Sequence, residues 1–414
     1  MNEPKLRFKA DDGSQFPDLK KTSLEALMTF KNGVNADGNK FGHGIKCISV
    51  MDILNNAYIT YNIIKGAVNI DEKTLSNFSV EYGDVLFQRS SENVQDAGRA
   101  NVYVDKDKIA TYSGFVIRGK KISEYEPMFM NNLLNTFAVR KQIMSKAQGA
   151  QHINIGQEIL NSVAVKIPSL PEQQKIASLF TELDTLIQSA EKELEGYREL
   201  KQGMLQKMFP KKGETVPEIR FPEFSGDWKK HKLGDLAKIV GGGTPSTSNT
   251  DFWDGEINWF APAEIANQVY VSSSERKITK LGYNSSSARM LPIGTVLFTS
   301  RAGIGKTAIL SEEACTNQGF QSIVPDGNKL DSYFIFARSA ELKRYGETVG
   351  AGSTFVEVSG KQMAAMPLMI PPTLDEQKKI GEYFQNLDNL IASQQQELEG
   401  YKELKKGLLQ QMFC

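Results

Sequence analysis

Residues 193–209 read ELEGYRELKQGMLQKMF, and residues 397–413 read ELEGYKELKKGLLQQMF. A shift of 204 aligns residues 172–209 with 376–413, and 23 of those 38 columns are identical. Repetition on this scale sets the architecture before any local signal does. The approach to each copy repeats as well: IPSLPEQQKI at 167–176 and IPPTLDEQKKI at 370–380. The prolines hold the chain extended, and a helical pattern begins after them.

Each pattern is a heptad. In the first copy one seam runs Phe180, Ile187, Leu194, Lys201, Met208, and the other Ile176, Leu183, Ala190, Tyr197, Met204. In the second copy the seams are Phe384, Ile391, Leu398, Lys405, Met412 and Ile380, Leu387, Gln394, Tyr401, Leu408. Leu179, Leu186 and Leu200 widen the apolar stripe beyond a strict seam. At ~1.5 Å per residue each helix runs roughly 57 Å. A helix with one broad apolar face does not stand alone in water, and the other copy is the natural partner. Two unrelated core helices would not share a Glu-Leu-Glu-Gly-Tyr block or a lysine at one seam position. Gly196, Gly203, Gly400 and Gly407 each weaken the helix, and their repetition is read as close approach of the two helices there.

A weaker repeat covers the rest. PKLRF (4–8) answers PEIRF (217–221), and LKKTSLEAL (19–27) answers WKKHKLGDL (228–236). YGDVLF (82–87) answers IGTVLF (293–298), TYSGF (111–115) answers TNQGF (316–320), and GAQHINI (149–155) answers GSTFVEV (352–358). GDVLFQR, ATYSGFVIRG, GTVLFTS, TAILS and FQSIVP read as short strands, with helical stretches near 127–145 and 330–345. The expected fold is α+β: two globular domains, at 1–167 and 211–371, separated by two long coiled-coil helices, at 168–210 and 372–414, in a pseudo-twofold tandem repeat. Two equivalent halves are most simply related by a rotation, which an antiparallel helix pair satisfies.

A chain of 414 residues exceeds one ordinary domain, and its 40% hydrophobic content suffices for real cores. It has no run of ~18 apolar residues. Its start, MNEPKLRFKADDG, has no apolar signal core, so the expected compartment is the cytoplasm. Cys47, Cys315 and Cys414 are scattered, which fits a reducing compartment. His43, His152 and His231 have no ligand spacing, so no metal site is expected. Residues 1–167 carry 21 Lys+Arg against 18 Asp+Glu, and residues 215–371 carry 16 of each. Neither half is globally basic, so any nucleic-acid contact comes from local patches or from charged partners.

RAGIGKTA (301–308) invites a phosphate-loop reading, but G-x-x-x-x-G-K-[ST] needs glycine at position 300, which is Ser300. A glycine-rich hairpin tip carrying Arg301 and Lys306 is the better reading. VGGGTPSTSN (240–249) offers close backbone approach and small donors through Gly242, Gly243, Thr244 and Ser246, suited to phosphates and base edges; a loop without contacts is the alternative. WDGEINWF (253–260) reads as core. In the first half, FQRSSENVQDAGRAN (87–101) holds Arg89, Ser91, Asn93, Gln95 and Arg99. Arginine forks onto guanine, and asparagine or glutamine pairs with adenine; a solvated surface loop is the alternative. Lys31 and Asn32, in KNGVN, stand where the glycine loop falls in the other half. Gln151 and the pair Ser353, Thr354 complete the candidate contacts, in the matching GAQHINI and GSTFVEV segments. G-x-S-x-G, H-E-x-x-H, a strand-linked G-x-G-x-x-G and [DNS]-P-P-[YFW] are missing, so no chemistry is expected on this chain.

With these features in place, the chain resembles the specificity subunits of type I restriction–modification systems. The resemblance is carried by IPSLPEQQKIASLF, IPPTLDEQKKIGEYF and the two ELEGYxELKxGxLQxMF blocks, and by FSGDWKKHKLGDLAKIVGGGTPS and GSTFVEVSGKQMAAMPLMIP. It implies a non-catalytic subunit whose two target-recognition domains each read half of a bipartite double-stranded DNA site. The helix pair would set the spacer and dock two modification (methyltransferase) subunits. Those subunits would bind S-adenosylmethionine and methylate adenine; restriction subunits would join for ATP- and Mg2+-dependent cleavage in host defence. The first domain departs from the pattern, since SLEALMTFKNGVN lacks the glycine-rich loop. A coiled-coil adaptor without DNA and a nucleotide hydrolase using Gly305-Lys306-Thr307 are the competing expectations.

Overall fold

The structure is a computed structural model that describes residues 3–35, 38–147, 149, 153–301, 303–351 and 357–413. The chain divides into two units, Met1–Glu191 with Glu397–Cys414, and Lys192–Gln396. Both boundaries fall inside long helices, Leu170–Lys207 (38 residues) and Leu374–Met412 (39 residues). Each unit thus owns one globular portion, the start of the helix that leaves it, and the far part of the other helix.

In unit one a four-stranded antiparallel sheet runs in the order Met28–Asn32, Val116–Lys121, Val85–Gln88, Ala100–Val102. The VLFQ strand is buried throughout. Because side chains alternate across a strand, Val85 and Phe87 join one core, with Phe129, Ile176 and Phe180, while Leu86 joins a second, with Ile48, Tyr103 and Tyr112. A three-stranded sheet places Phe41–Ile48 between Ala67–Val68 and Thr111–Tyr112, the last pairing parallel. The expected strand ATYSGFVIRG is two strands, since the turn at Ser113–Phe115 sends Thr111–Tyr112 and Val116–Lys121 to different sheets.

Unit two repeats the plan. Its five-stranded sheet runs Ala237–Gly241, Gln321–Pro325, Val296–Phe298, Thr307–Leu310, Tyr270–Val271. Val296 and Phe298 face the core that holds Phe334 and Phe384, and Leu297 faces the other. Trp253–Phe260 is the middle strand of a three-stranded sheet with Lys277–Ile278 and Ala314–Thr316. A bulge lies between Trp253 and Ile257, and Asp254 there has a φ of 59°, a left-handed conformation otherwise confined to glycine among the described residues.

The helices pair antiparallel within each unit. In unit one, Asp184 meets Lys405 and Glu191 meets Lys402, so ascending numbers on one helix meet descending numbers on the other. In unit two, Asp388 meets Lys201 and Arg198 donates to Gln395. The seam lysine of each copy is therefore matched by an aspartate of the other, a polar pair that fixes register at some cost in stability. Ile176, Phe180, Leu183, Leu194, Ile380, Phe384, Leu387 and Leu398 are buried; Ile187, Tyr197, Ile391 and Tyr401 are half-buried.

Two expectations about this pair are corrected. The four glycines do not mark close approach: nothing lies within 4 Å of a Cβ built at Gly196, Gly203, Gly400 or Gly407. Leu186 and Leu200 are not covered by the partner helix either. They are 44% and 40% exposed, and their repeats Leu390 and Leu404 are 46% and 50% exposed. At the start of the first helix Ala177 is buried and Leu179 packs half-buried on the unit-one core; farther along, Leu186, Leu200, Leu390 and Leu404 face outward.

Candidate nucleic-acid interface

Both units build an equivalent backbone frame around a three-residue turn, on which different loops are hung. Backbone hydrogen bonds define the equivalence. Val34 N–H donates to Tyr112 O (2.9 Å) as Gly243 N–H donates to Thr316 O (2.8 Å). Arg89 N–H donates to Phe115 O (2.9 Å) as Ser300 N–H donates to Gly319 O (2.8 Å). The parallel pairs Cys47–Thr111 and Trp259–Cys315 agree. Thr111 thus matches Cys315, one residue off the TYSGF–TNQGF alignment that the letters suggest, and the turn Ser113-Gly114-Phe115 matches Asn317-Gln318-Gly319.

In unit two the glycine loop is pinned. Trp259 Nε1 donates to Gly243 O (2.8 Å) and Trp253 Nε1 to Ser246 O (3.1 Å). The two indoles meet edge to face, and the Arg276 guanidinium lies 3.6 Å from the Trp253 ring centre. Thr244 Oγ1 donates to Gln318 Oε1 (2.5 Å), and Ser246 shares a hydroxyl bond with Ser248. Gly242 and Gly243 are required sterically, since a Cβ would fall 2.0 Å from Asn317 O and 2.4 Å from Ala288 N. The tryptophans pack, as the sequence suggests, but they also hold the loop's carbonyls.

Arg301 and Lys306 sit in the tip between antiparallel strands Val296–Phe298 and Thr307–Leu310, a hairpin rather than a phosphate loop. Arg301 lies 4.0 Å from Glu357, and Lys306 is exposed. Ser353 and Thr354 fall outside the described residues, as does Gln151.

Unit one spends its candidates differently. Lys31 lies 4.3 Å from the Phe78 ring centre and donates to Asn77 O (3.1 Å), while Asn32 pairs with Ile117 in the ladder. Arg89 Nη1 donates to Gly114 O (3.2 Å), bringing the arginine onto the turn that Gly33 also packs against. Asn93 is committed within its own loop, with Nδ2 donating to Asp96 (2.8 Å) and Oδ1 accepting from Asp96 N–H (2.9 Å). Ser91 is buried, and its hydroxyl accepts from Asn93 N–H. Gln95 is exposed, its carbonyl taken by Arg140 (2.8 Å), and Arg99 lies 3.5 Å from Asp96. Burial, with Arg99 nearby, pulls the Arg140 guanidinium down to about 10. Arg140 braces this loop from below, and Gln95 and Arg99 stay exposed, as do Glu92, Asn93 and Val94.

Sequence reading missed Phe115, Gln318 and Arg276. The first two lie inside segments recognised only as repeat anchors, and Arg276 belongs to no motif. Among the described residues, no group of three or more His, Cys, Asp or Glu is placed to hold a metal ion, and no helix is long and apolar enough to cross a membrane.

The model of the type I restriction modification DNA specificity domain matches residues 30–196 and 225–400, one match per globular portion and its helix. The MjaIX specificity subunit of Methanocaldococcus jannaschii is 33% identical over 190 residues, which cover 45% of this chain and 44% of that one. The putative MjaX specificity subunit of the same organism is 24% identical across 93% of this chain and 90% of its own length. The EcoR124I/EcoR124II specificity subunit of Escherichia coli is 25% identical over 74% and 76%. Among solved structures, the type I S subunit from M. genitalium superposes with a TM-score of 0.63 at 13% identity, covering 100% of this chain and 99% of that one. A chain from work on complex assembly and conformational transition of the type I R-M system gives 0.55 at 16% identity. The chain belongs to the type I restriction modification DNA specificity family, and it is the DNA specificity subunit, the non-catalytic component, of a type I restriction–modification system.

Proposed function

We propose that each globular portion, 1–167 and 211–371, is a target-recognition domain reading one half of a bipartite DNA site, that the helix pair sets the spacer, and that the outer face of the helices docks two modification subunits. The observation that carries this reading is duplication with divergence. The helix segments repeat down to the Asp184–Lys405 and Asp388–Lys201 pairs, while the loop clusters differ. A repeated scaffold suits two copies of one partner, and divergent loops suit two different half-sites.

The docking face follows from the two corrections to the helix pair. Leu200 is exposed, with Gly196 one turn before it and Gly203 one turn after; Leu404 has Gly400 and Gly407 in the same places. A leucine between small residues on one helix face admits a partner helix at short range. The partners supply what this chain's neutral balance lacks, the phosphate-neutralising charge around the duplex. S-adenosylmethionine, ATP and Mg2+ belong to those partners in this reading, and the complex works in the cytoplasm as host defence.

The chain combined with its modification subunits is expected to methylate adenine within two fixed sequences separated by a constant gap. Sequencing of methylated sites measures this, and methylation indifferent to which specificity chain is present overturns it. Deleting one heptad from both helices is expected to change the gap and leave both half-sites unchanged. Leu200→Asp and Leu404→Asp are each expected to remove one modification subunit, read as mass in solution, with unfolding shifted by no more than about 0.5 kcal/mol.

A further inference from the structure

The turn at the centre of each loop cluster carries one exposed side chain, and the two units place it at different positions. In unit one the middle residue is glycine, and a Cβ on Gly114 would lie 1.9 Å from Asn35 Oδ1, so a larger residue there would displace the Asn35 side chain. The next residue, Phe115, projects instead and is 67% exposed. In unit two the order is reversed. Gly319 leaves no room, since a Cβ there would lie 2.6 Å from the Pro262 ring, and the preceding Gln318 projects into solvent. Both turns are fixed by backbone bonds on two sides, from Val34 and Arg89 in one unit and from Gly243 and Ser300 in the other.

Burial explains the place of neither side chain. A phenylalanine two-thirds exposed at a rigid turn gains little from burial. Gln318 is aimed: Thr244 Oγ1 donates to its Oε1 and fixes the amide plane, leaving the Nε2 hydrogens and the second Oε1 lone pair outward. A held side-chain amide with one free acceptor site and free donors matches the N6 and N7 edge of adenine in the major groove, and an exposed ring matches the methyl group of thymine.

We infer that this turn is the base-reading tip in both units, with Gln318 reading an adenine in one half-site and Phe115 contacting a thymine methyl in the other; the inference rests on the DNA-reading role proposed above. One fold thereby reads two sequences by moving the projecting residue one position along the same turn.

The test uses the full chain assembled with its modification subunits, after the wild-type site has been established by sequencing of methylated DNA. Gln318→Ala is expected to lose about tenfold to hundredfold in affinity through one half-site and to tolerate any base at one of its positions. Gln318→Glu, which keeps shape but loses the donors, is expected to shift preference there toward cytosine, a change a merely structural role would not produce. Phe115→Ala is expected to relax one position of the other half-site. Replacing thymine by uracil at that position is expected to weaken the wild type and leave Phe115→Ala unaffected. Both side chains are exposed, so unchanged unfolding temperatures accompany these results. Variants that keep both half-sites intact, or a single variant that alters both, overturn the inference while leaving the bipartite reading standing. A wild-type complex with no sequence preference overturns that reading itself.

Discussion

Unit one and unit two share a frame down to individual ring contacts, and they part where the loops meet. Phe413 packs on Phe180 (5.9 Å) and Phe129 (5.4 Å) in unit one; Phe209 packs on Phe384 (5.9 Å) and Phe334 (5.5 Å) in unit two. Arg7 grips the buried Glu172 as Arg220 grips the buried Glu376. Leu6 N–H donates to Gln411 O (3.0 Å) as Ile219 N–H donates to Lys207 O (2.9 Å). Beyond this frame the units diverge. Two tryptophans clamp the loop of unit two; the matching strand of unit one carries Phe41, which is exposed, and Cys47, which has no indole donor. The frame tolerates little change because it is close-packed and because each buried carboxylate needs its partner. The loops tolerate much because their side chains end in solvent.

Truncating the frame is expected to cost most, and equally in both units. Phe180→Ala and Phe384→Ala, both at fully buried positions, should each lose about 3–5 kcal/mol in denaturant unfolding. A large inequality between them would break the equivalence. Next comes the arginine clamp. Glu376 is 1% exposed, and it accepts from Arg220 and from Trp228 Nε1 (3.3 Å); Arg220→Ala strands that carboxylate at a cost of about 3–5 kcal/mol. Arg7 is the more exposed of the two arginines, and its loss should cost less, which sharpens the comparison.

Alkaline pH should weaken both units. Burial pushes the Cys47 and Cys315 thiols up to about 11 from an ordinary value near 9.0. The folded state favours the protonated thiol, so this stabilisation is complete below about pH 9 and is lost as pH rises through 11. Unfolding temperature should fall across that window, and replacing both cysteines by alanine should flatten the fall. The smallest effect separates the units. Trp259→Phe removes the donor to Gly243 O at about 1 kcal/mol, and under the proposed bipartite reading it should blur only the half-site assigned to unit two.

The duplication, the two long helices, their seams and the α+β halves were legible in the letters, because heptads and repeats need only spacing. The Lys201 and Lys405 anomaly was legible too, though not its answer, since Asp388 and Asp184 are found only once the helices pair. Reading failed at Gly196 and its repeats, where a rule about close packing met a face that packs on nothing. It failed also at TYSGF, where matching letters concealed a one-residue shift of the turn.

Periodicity and repetition thus determined, by sequence alone, that this chain is two α+β halves on a doubled helical scaffold, since the face a residue takes in a helix or strand follows from its spacing. Tertiary structure decided which loop residues are spent on holding the loop and which are left over. Asn93 spends both ends of its amide on Asp96, while Gln318 spends only its Oε1, on Thr244, though both carry the same amide. Gln318 is held by Thr244, from a loop far away in the chain that no local pattern records, whereas Asn93 is held by Asp96, three residues on.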